Sequence, residues 1–239
     1  MHPVFAHLGP LTITSYGVLL AVAVLVVWSL LTRAARQAGY EEGLVHDLVF
    51  IVVIWGIVGA RVLFVLLNLS SFLLDPLEII MIHRGGLAWQ GSFLGGILAG
   101  IVFLRRRHVP VWKFLDLVAP YIALGHAIGR IGCLLNGCCY GKPVAWGLYF
   151  PVWGMRLHPT QIYMSLAQLM IFLLLRFFQQ RSRPAGYVFG WYLVLSGLER
   201  FLVEFFRADH IQAGVLSVFQ YASLAIMMAG AVILLRSRR

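Results

Sequence analysis

The feature that most constrains this chain is the length of its apolar runs. Seven stretches, 12–31, 44–67, 86–104, 114–135, 161–178, 186–206 and 215–235, are each near the ~20 residues that carry a helix across a hydrocarbon core. Lipid offers no partner for open backbone groups, so each run is expected to be helical. Composition agrees: 12% of the 239 residues are charged, where a soluble domain carries roughly a quarter. The expected fold is an all-α integral membrane protein with seven transmembrane helices in a single domain, residues 1–239. The third run begins among glycines and is the one that a partly re-entrant path would suit. The first lacks a basic segment before it and a small-residue cleavage site after it, so it is expected to stay as a span.

The basic residues give an orientation. Arg33, Arg36, Arg105, Arg106, Arg107, Lys113, Arg181, Arg183, Arg236, Arg238 and Arg239 lie in loops on one side, more than half of the 19 Lys and Arg. The opposite loops hold Arg84, Lys142, Arg156 and Arg207. The positive-inside rule puts the first set in the cytoplasm, with the N-terminus outside and the C-terminus inside. The net charge of +10 then reports orientation and not a nucleic-acid partner. Residues 136–158, with Trp146, Tyr149, Phe150 and Trp153, are expected to form a small periplasmic head at the headgroup level. Residues 75–81 suit a short interfacial helix.

Charges inside spans are costly and mark sites or pathways. At 1.5 Å per residue, Arg61, Arg130 and Arg200 lie about 21 to 26 Å above the cytoplasmic ends of their spans. Glu204 is one turn beyond Arg200, and Tyr16 enters from the outer side. A lone arginine can snorkel to the headgroups, but three at one depth with a glutamate read as one site. Arg200 and Glu204, four apart, share a helix face and can pair; Glu199 points elsewhere, towards another span. Asp47 and Asp116 fall near the cytoplasmic ends. Guanidinium keeps its charge in a low dielectric and grips phosphate with two donors. A phospholipid headgroup of the outer leaflet is therefore the expected ligand, bound or as a leaving group. Gly91-xxx-Gly95, Gly96-xxx-Gly100 and Gly125-xxx-Gly129 are spacings that let helices approach closely. Cys133, Cys138 and Cys139 are too few for a disulfide framework, and no histidine gives them a zinc spacing. They read as small apolar filler or as a disulfide bracing the outer loop; no metal and no cofactor is expected.

The run Gly129-Arg130-Ile131-Gly132-Cys133-Leu134-Leu135-Asn136-Gly137-Cys138-Cys139-Tyr140-Gly141 resembles the signature of the prolipoprotein diacylglyceryl transferase family. Ser15-Tyr16-Gly17, Gly85-Gly86-Leu87, His158-Pro159-Thr160-Gln161-Ile162-Tyr163 and the segment from Glu199 to Arg207 match in the same order, so the resemblance covers nearly the whole chain. It implies a seven-span enzyme of the bacterial inner membrane with its site towards the periplasmic leaflet. Such an enzyme moves the diacylglyceryl group of phosphatidylglycerol to the lipobox cysteine thiol of a prolipoprotein signal peptide and releases glycerol phosphate. The residues it implies are Tyr16, Arg130, Arg200 and Glu204 for catalysis, with Asn136 and Gly141 for substrate. Gln90, Arg61 and His158 join the substrate-binding candidates.

The chain also departs from the family pattern. Gln90-Gly91-Ser92 stands where His-Gly-Gly is usual, Cys133 replaces an asparagine, Cys138 an acidic residue and Met164 a glutamate. Glutamine takes no proton at neutral pH, though it hydrogen-bonds. Activation of the acceptor thiol is then open between an arginine field and a base, His126 or His158. Gln90 and Met164 also suit a paralogue with the same lipid site and a different acceptor or none. A lipid transporter is disfavoured by the absence of an inverted repeat or matched broken helices. An intramembrane protease lacks a Gly-x-Ser-x-Gly element.

Overall fold

The computed structural model describes residues 4–8, 11–69, 72, 76–81, 85–208 and 212–237. Among the described residues seven long α-helices fall on the seven apolar runs: α1 (Ser15–Gln37), α2 (Glu42–Leu67), α3 (Trp89–Arg106), α4 (Val111–Asn136), α5 (Thr160–Gln179), α6 (Tyr187–Glu204) and α7 (Val218–Ser237). Five of them, α1, α2, α4, α5 and α7, are long and apolar enough to cross a membrane. The other two are more polar for visible reasons: α3 carries Gln90 at its start and Arg105 and Arg106 at its end, and α6 carries Glu199, Arg200 and Glu204. The chain is a multi-pass membrane protein.

One expectation needs correction. Residues 12–14 are not helical: β2 (Leu11–Thr14) pairs antiparallel with β1 (Val4–Leu8). Its β-branched Thr12, Ile13 and Thr14 suit an extended backbone, and the Thr14 hydroxyl accepts the Gly17 amide at 3.1 Å as α1 starts. The third run is continuous helix from Trp89, preceded by Gly85 and Gly86 at φ +88° and +79°. Small two-stranded hairpins accompany the helices. Within 136–158, β3 (Pro143–Phe150) and β4 (Met155–Leu157) form an antiparallel hairpin that pairs Leu148 with Leu157 and Phe150 with Met155; β5 (Gln212–Ala213) and β6 (Leu216–Ser217) form a third small hairpin. Of residues 75–81, Pro76–Ile80 forms a single 3-10 turn. Asp75, Arg84, Arg238 and Arg239 lie outside the described residues.

The contacts group the chain into two compact units. One comprises Thr32–Val111 and is organised by glycine. A Cβ on Gly59 would overlap the Gly91 carbonyl oxygen, and one on Gly95 the Trp55 carbonyl oxygen, so α2 and α3 touch backbone to backbone. At its polar end Arg107 donates to Asp47 at 2.7 Å.

The other unit comprises Met1–Leu31 and Trp112–Arg239. Its core includes Ala119, Ala123, Ile171, Leu175 and Val188, with Phe172, Phe178 and Trp191 packed around them. The Asp116 carboxylate accepts the amides of Gly186 at 2.6 Å and Phe189 at 2.8 Å, which satisfies the open start of α6. Its place near a span end is thus explained by capping.

Gly59→Val is expected to destabilise the protein by about 2 kcal/mol or more, because neither facing backbone can retreat. Gly129→Ala, where a Cβ meets nothing within 4 Å, is expected to leave stability unchanged or slightly raised. Thermal unfolding in detergent compares the two, and an equal effect of both would refute the close-packing account.

Candidate active site

The unit containing α4 to α7 gathers most of the polar groups singled out by sequence. Glu204, at the last residue of α6, is 2% exposed. Its carboxylate meets the Arg200 guanidinium at 2.5 Å, with the Arg207 Nε at 3.9 Å. The Ser217 hydroxyl donates to it at 2.9 Å. Ser217 also opens α7: its amide donates to Gln220 Oε1 at 2.9 Å, and its Oγ accepts the Gln220 amide at 3.1 Å. This reciprocal Ser-x-x-Gln cap aims the hydroxyl hydrogen at Glu204. Arg200 is further held over the Phe219 ring, 4.9 Å from its centroid.

Glu199, on the other side of α6, accepts from Gln168 Nε2 at 3.1 Å. Gln168 belongs to a polar stripe on α5 that the sequence shows at i, i+4 and i+7. Gln161 donates to the Cys138 carbonyl at 2.6 Å, and Ser165 to the Ala127 carbonyl at 2.9 Å.

Arg130 sits in the penultimate turn of α4, where its Nε donates to Nε2 of His126, one turn earlier, at 3.2 Å. His126 is therefore an acceptor that orients Arg130. The arginine lines an open cavity of about 210 Å³ with Ile131, Leu134, Gln161, Ile162, Ser165 and Leu166. The rim residues Ile131 and Leu166 are 44% and 57% exposed, as befits lipid contact. Gln161 Oε1 is buried there without a hydrogen-bond partner. Arg200 lies within electrostatic reach of Arg130 and Arg207, and all three lie within reach of Glu199. Among the described residues of this cluster, three guanidinium groups face two carboxylates. The excess positive charge suits an anionic ligand.

Tyr16, in the first turn of α1, is 39% exposed and packs on Gly132, where a Cβ would meet its ring and its Cα at 3.3 and 3.5 Å. Asn136 is the final residue of α4. Gly141 has no room for a side chain: a Cβ would strike the Phe206 carbonyl, the His158 Cβ at 2.6 Å and Thr160 at 2.9 Å. Its backbone bridges to Arg207 and donates to the His158 carbonyl, so it ties the head segment to the end of α6. His158 has a defined structural setting. Its ring lies 5.0 Å from Trp146 and 5.2 Å from Phe206, and its Nδ1 is 3.2 Å from the Tyr163 hydroxyl.

Gln90 and Arg61 belong to the other unit. Gln90 is exposed. Arg61, 8% exposed, donates to the carbonyls of Ile79 and Gly85 at 2.8 Å, of Gly86 at 2.9 Å and of Glu78. It also lies over Phe72 at 5.3 Å and Phe64 at 5.8 Å. These contacts make it a clamp on the Pro76–Ile80 turn and the glycine pair before α3.

The end of α4 brings the three cysteines together as free thiols. Gly137 at φ +72° stops the helix, the Cys138 amide returns to the Cys133 carbonyl, and the Gly137 amide returns to that of Leu134. This is the paired closure that left-handed glycine makes at helix ends. Cys139 is itself left-handed, at φ +62°, a conformation that costs a non-glycine residue about 1 kcal/mol or more. Its thiol is held well below the ordinary range, chiefly by the hydrogen bond from Cys133 and then by Arg207, against burial.

Helices long and apolar enough to cross a membrane, with an open, arginine-lined cavity between two of them, define a multi-pass membrane protein. The chain belongs to the prolipoprotein diacylglyceryl transferase family, whose model matches residues 3–236. It is 32% identical over 238 residues to a phosphatidylglycerol–prolipoprotein diacylglyceryl transferase of Clostridium tetani, covering 96% of this chain and 95% of that one. It is 37% identical to one of Trichormus variabilis, covering 95% and 86%, and 35% identical to one of Bordetella avium, covering 99% and 95%. The resemblance drawn from the motifs is thereby confirmed at the level of the family.

Sequence reasoning missed Arg207, Ser217, Gln161, Ser165 and Gln168 as parts of the site. The Ser-x-x-Gln spacing and the α5 polar stripe were the signals for all but Arg207.

Glu204→Gln leaves Arg200 in apolar surroundings without its counter-charge and is expected to cost about 3 kcal/mol of stability. Ser217→Ala, which removes a cap and one hydrogen bond, is expected to cost about 1 kcal/mol. Unfolding midpoints of the two variants test the order; a larger loss for Ser217→Ala would refute the ion-pair account.

Proposed function

We propose that this chain transfers the diacylglyceryl group of phosphatidylglycerol to the lipobox cysteine of prolipoproteins, in the bacterial inner membrane with its site towards the periplasmic leaflet. Seven spans, with the arginine-rich loops in the cytoplasm, are the topology that goes with this reading. The observation that carries it is the Arg130 cavity: a guanidinium aimed into a lipid-sided space, inside a cluster with excess positive charge. The names carried by relatives across the whole length of the chain supply the donor and the acceptor.

In this reading the lipid's phosphodiester lies against Arg130, and Ile131, Ile162 and Leu166 take the start of the acyl chains. The acceptor sulfur, as thiolate, attacks the diacylglyceryl carbon that carries the phosphate oxygen. A carbon–sulfur bond forms, the carbon–oxygen bond breaks, and glycerol phosphate leaves with the electron pair. The thiol proton passes to solvent or to a base. Arg130 stabilises charge growing on the departing phosphate, the kind of interaction that is stronger in the transition state than in the bound lipid. Arg200, oriented by Glu204 and Phe219, adds to that field. Tyr16, Asn136 and Gly141 remain candidates for substrate contact, as does Gln90 by hydrogen bonding.

The test is an in vitro assay with purified protein, phosphatidylglycerol labelled in its acyl chains and a lipobox peptide. The wild type is expected to give lipidated peptide and glycerol phosphate. Arg130→Ala and Arg200→Ala should each lower turnover by about a hundredfold or more, and Lys at either position should recover little. His126→Gln can still accept from Arg130 and is expected to stay within about tenfold of wild type. A loss as large as that of Arg130→Ala would instead make His126 the base. Wild-type turnover in both Ala variants would overturn the site assignment.

A further inference from the structure

We propose that Cys133, Cys138 and Cys139 form a binding site for one thiophilic metal ion, zinc(II) or copper(I), at the end of α4. Their three sulfurs lie within 4.8 Å of one another. A metal bound by three thiolates at about 2.3 Å places its sulfurs roughly 4 Å apart, so only small side-chain rotations separate this arrangement from a ligand set.

The cluster is built by the backbone. Cys133 points from the last turn of the helix, the glycine-stopped turn folds Cys138 back over it, and Cys139 adopts a left-handed conformation that brings in the third sulfur. Two buried side chains of α5 then fix that turn: Thr160 donates to the Cys139 carbonyl and Gln161 to the Cys138 carbonyl, both at 2.6 Å. Apolar filler asks for none of this, since a small residue packs without a strained backbone. The surroundings also suit an anionic centre. Three thiolates on a divalent ion carry one net negative charge, and Arg207 and Arg130 are within electrostatic reach of the Cys139 sulfur. Soft thiolate sulfur selects zinc(II) and copper(I) over hard cations, and each thiol releases its proton to solvent as the metal binds. With three ligands from the chain, a bound zinc keeps a fourth position open.

Cadmium(II) is the probe, added to the purified, reduced full-length protein in detergent. One cadmium per chain is expected, with a sulfur-to-cadmium charge-transfer band in the ultraviolet. Competition by zinc(II) or by copper(I) then identifies the preferred ion. Cys133→Ser, Cys138→Ser and Cys139→Ser should each weaken binding by more than the roughly tenfold that loss of an outer partner costs. The readout does not involve transfer, so its failure would leave the proposed activity untouched. The proposal is overturned if reduced wild-type protein gives no charge-transfer band, or if all three serine variants bind cadmium as the wild type does. It is equally overturned if two of the cysteines in protein as isolated resist alkylation until a reductant is added, the mark of a disulfide.

Discussion

A buried carboxylate persists only with a cation and hydrogen-bond donors around it, and Glu204, 2% exposed, is given both. Arg200 comes from one turn back on the same helix, Ser217 from the start of the next, and Arg207 from just past the end of α6. Satisfying one acid thus fixes the exit of α6, the entrance of α7 and, through the Gly141–Arg207 bridge, the segment leading into the head. At Gly141 the head segment meets the end of α6 and the start of α5 with no room for a side chain. A methyl group there would separate them and, with them, the charges they carry.

Arginines that look equivalent in the sequence are put to different uses. Arg61 is surrounded by four backbone carbonyls and two phenyl rings and stiffens a turn. Arg200 is matched to an acid on its own helix. Arg130 is steadied by a neutral ring one turn away and faces the cavity. A guanidinium engaged, among the described residues, through Nε alone retains the terminal nitrogens that form the fork for a phosphate, which is why Arg130 bears the weight of the functional reading.

The helices were legible because hydrocarbon leaves a chain little choice, and the seven apolar runs match the helices to within a few residues. The error fell at the end of a run, where β-branched residues restore that choice: the strand at Leu11–Thr14. The pairing of Arg200 with Glu204 and the diversion of Glu199 to another helix followed from 3.6-residue periodicity. The role of Arg61 did not, since its partners are backbone carbonyls, and backbone carbonyls leave no mark in a sequence. The cysteines were visible as residues, but their convergence depends on a left-handed Cys139, which no spacing rule anticipates.

The cavity beside Arg130 opens past Ile131 and Leu166, side chains that belong against acyl tails. On the proposed function, whatever fills it from that side has already dissolved in the bilayer. The concentration that governs occupancy is then a mole fraction among lipids and not a molarity in water. Diluting an anionic phospholipid with a neutral one at constant total lipid would empty such a cavity, while diluting the whole suspension would not.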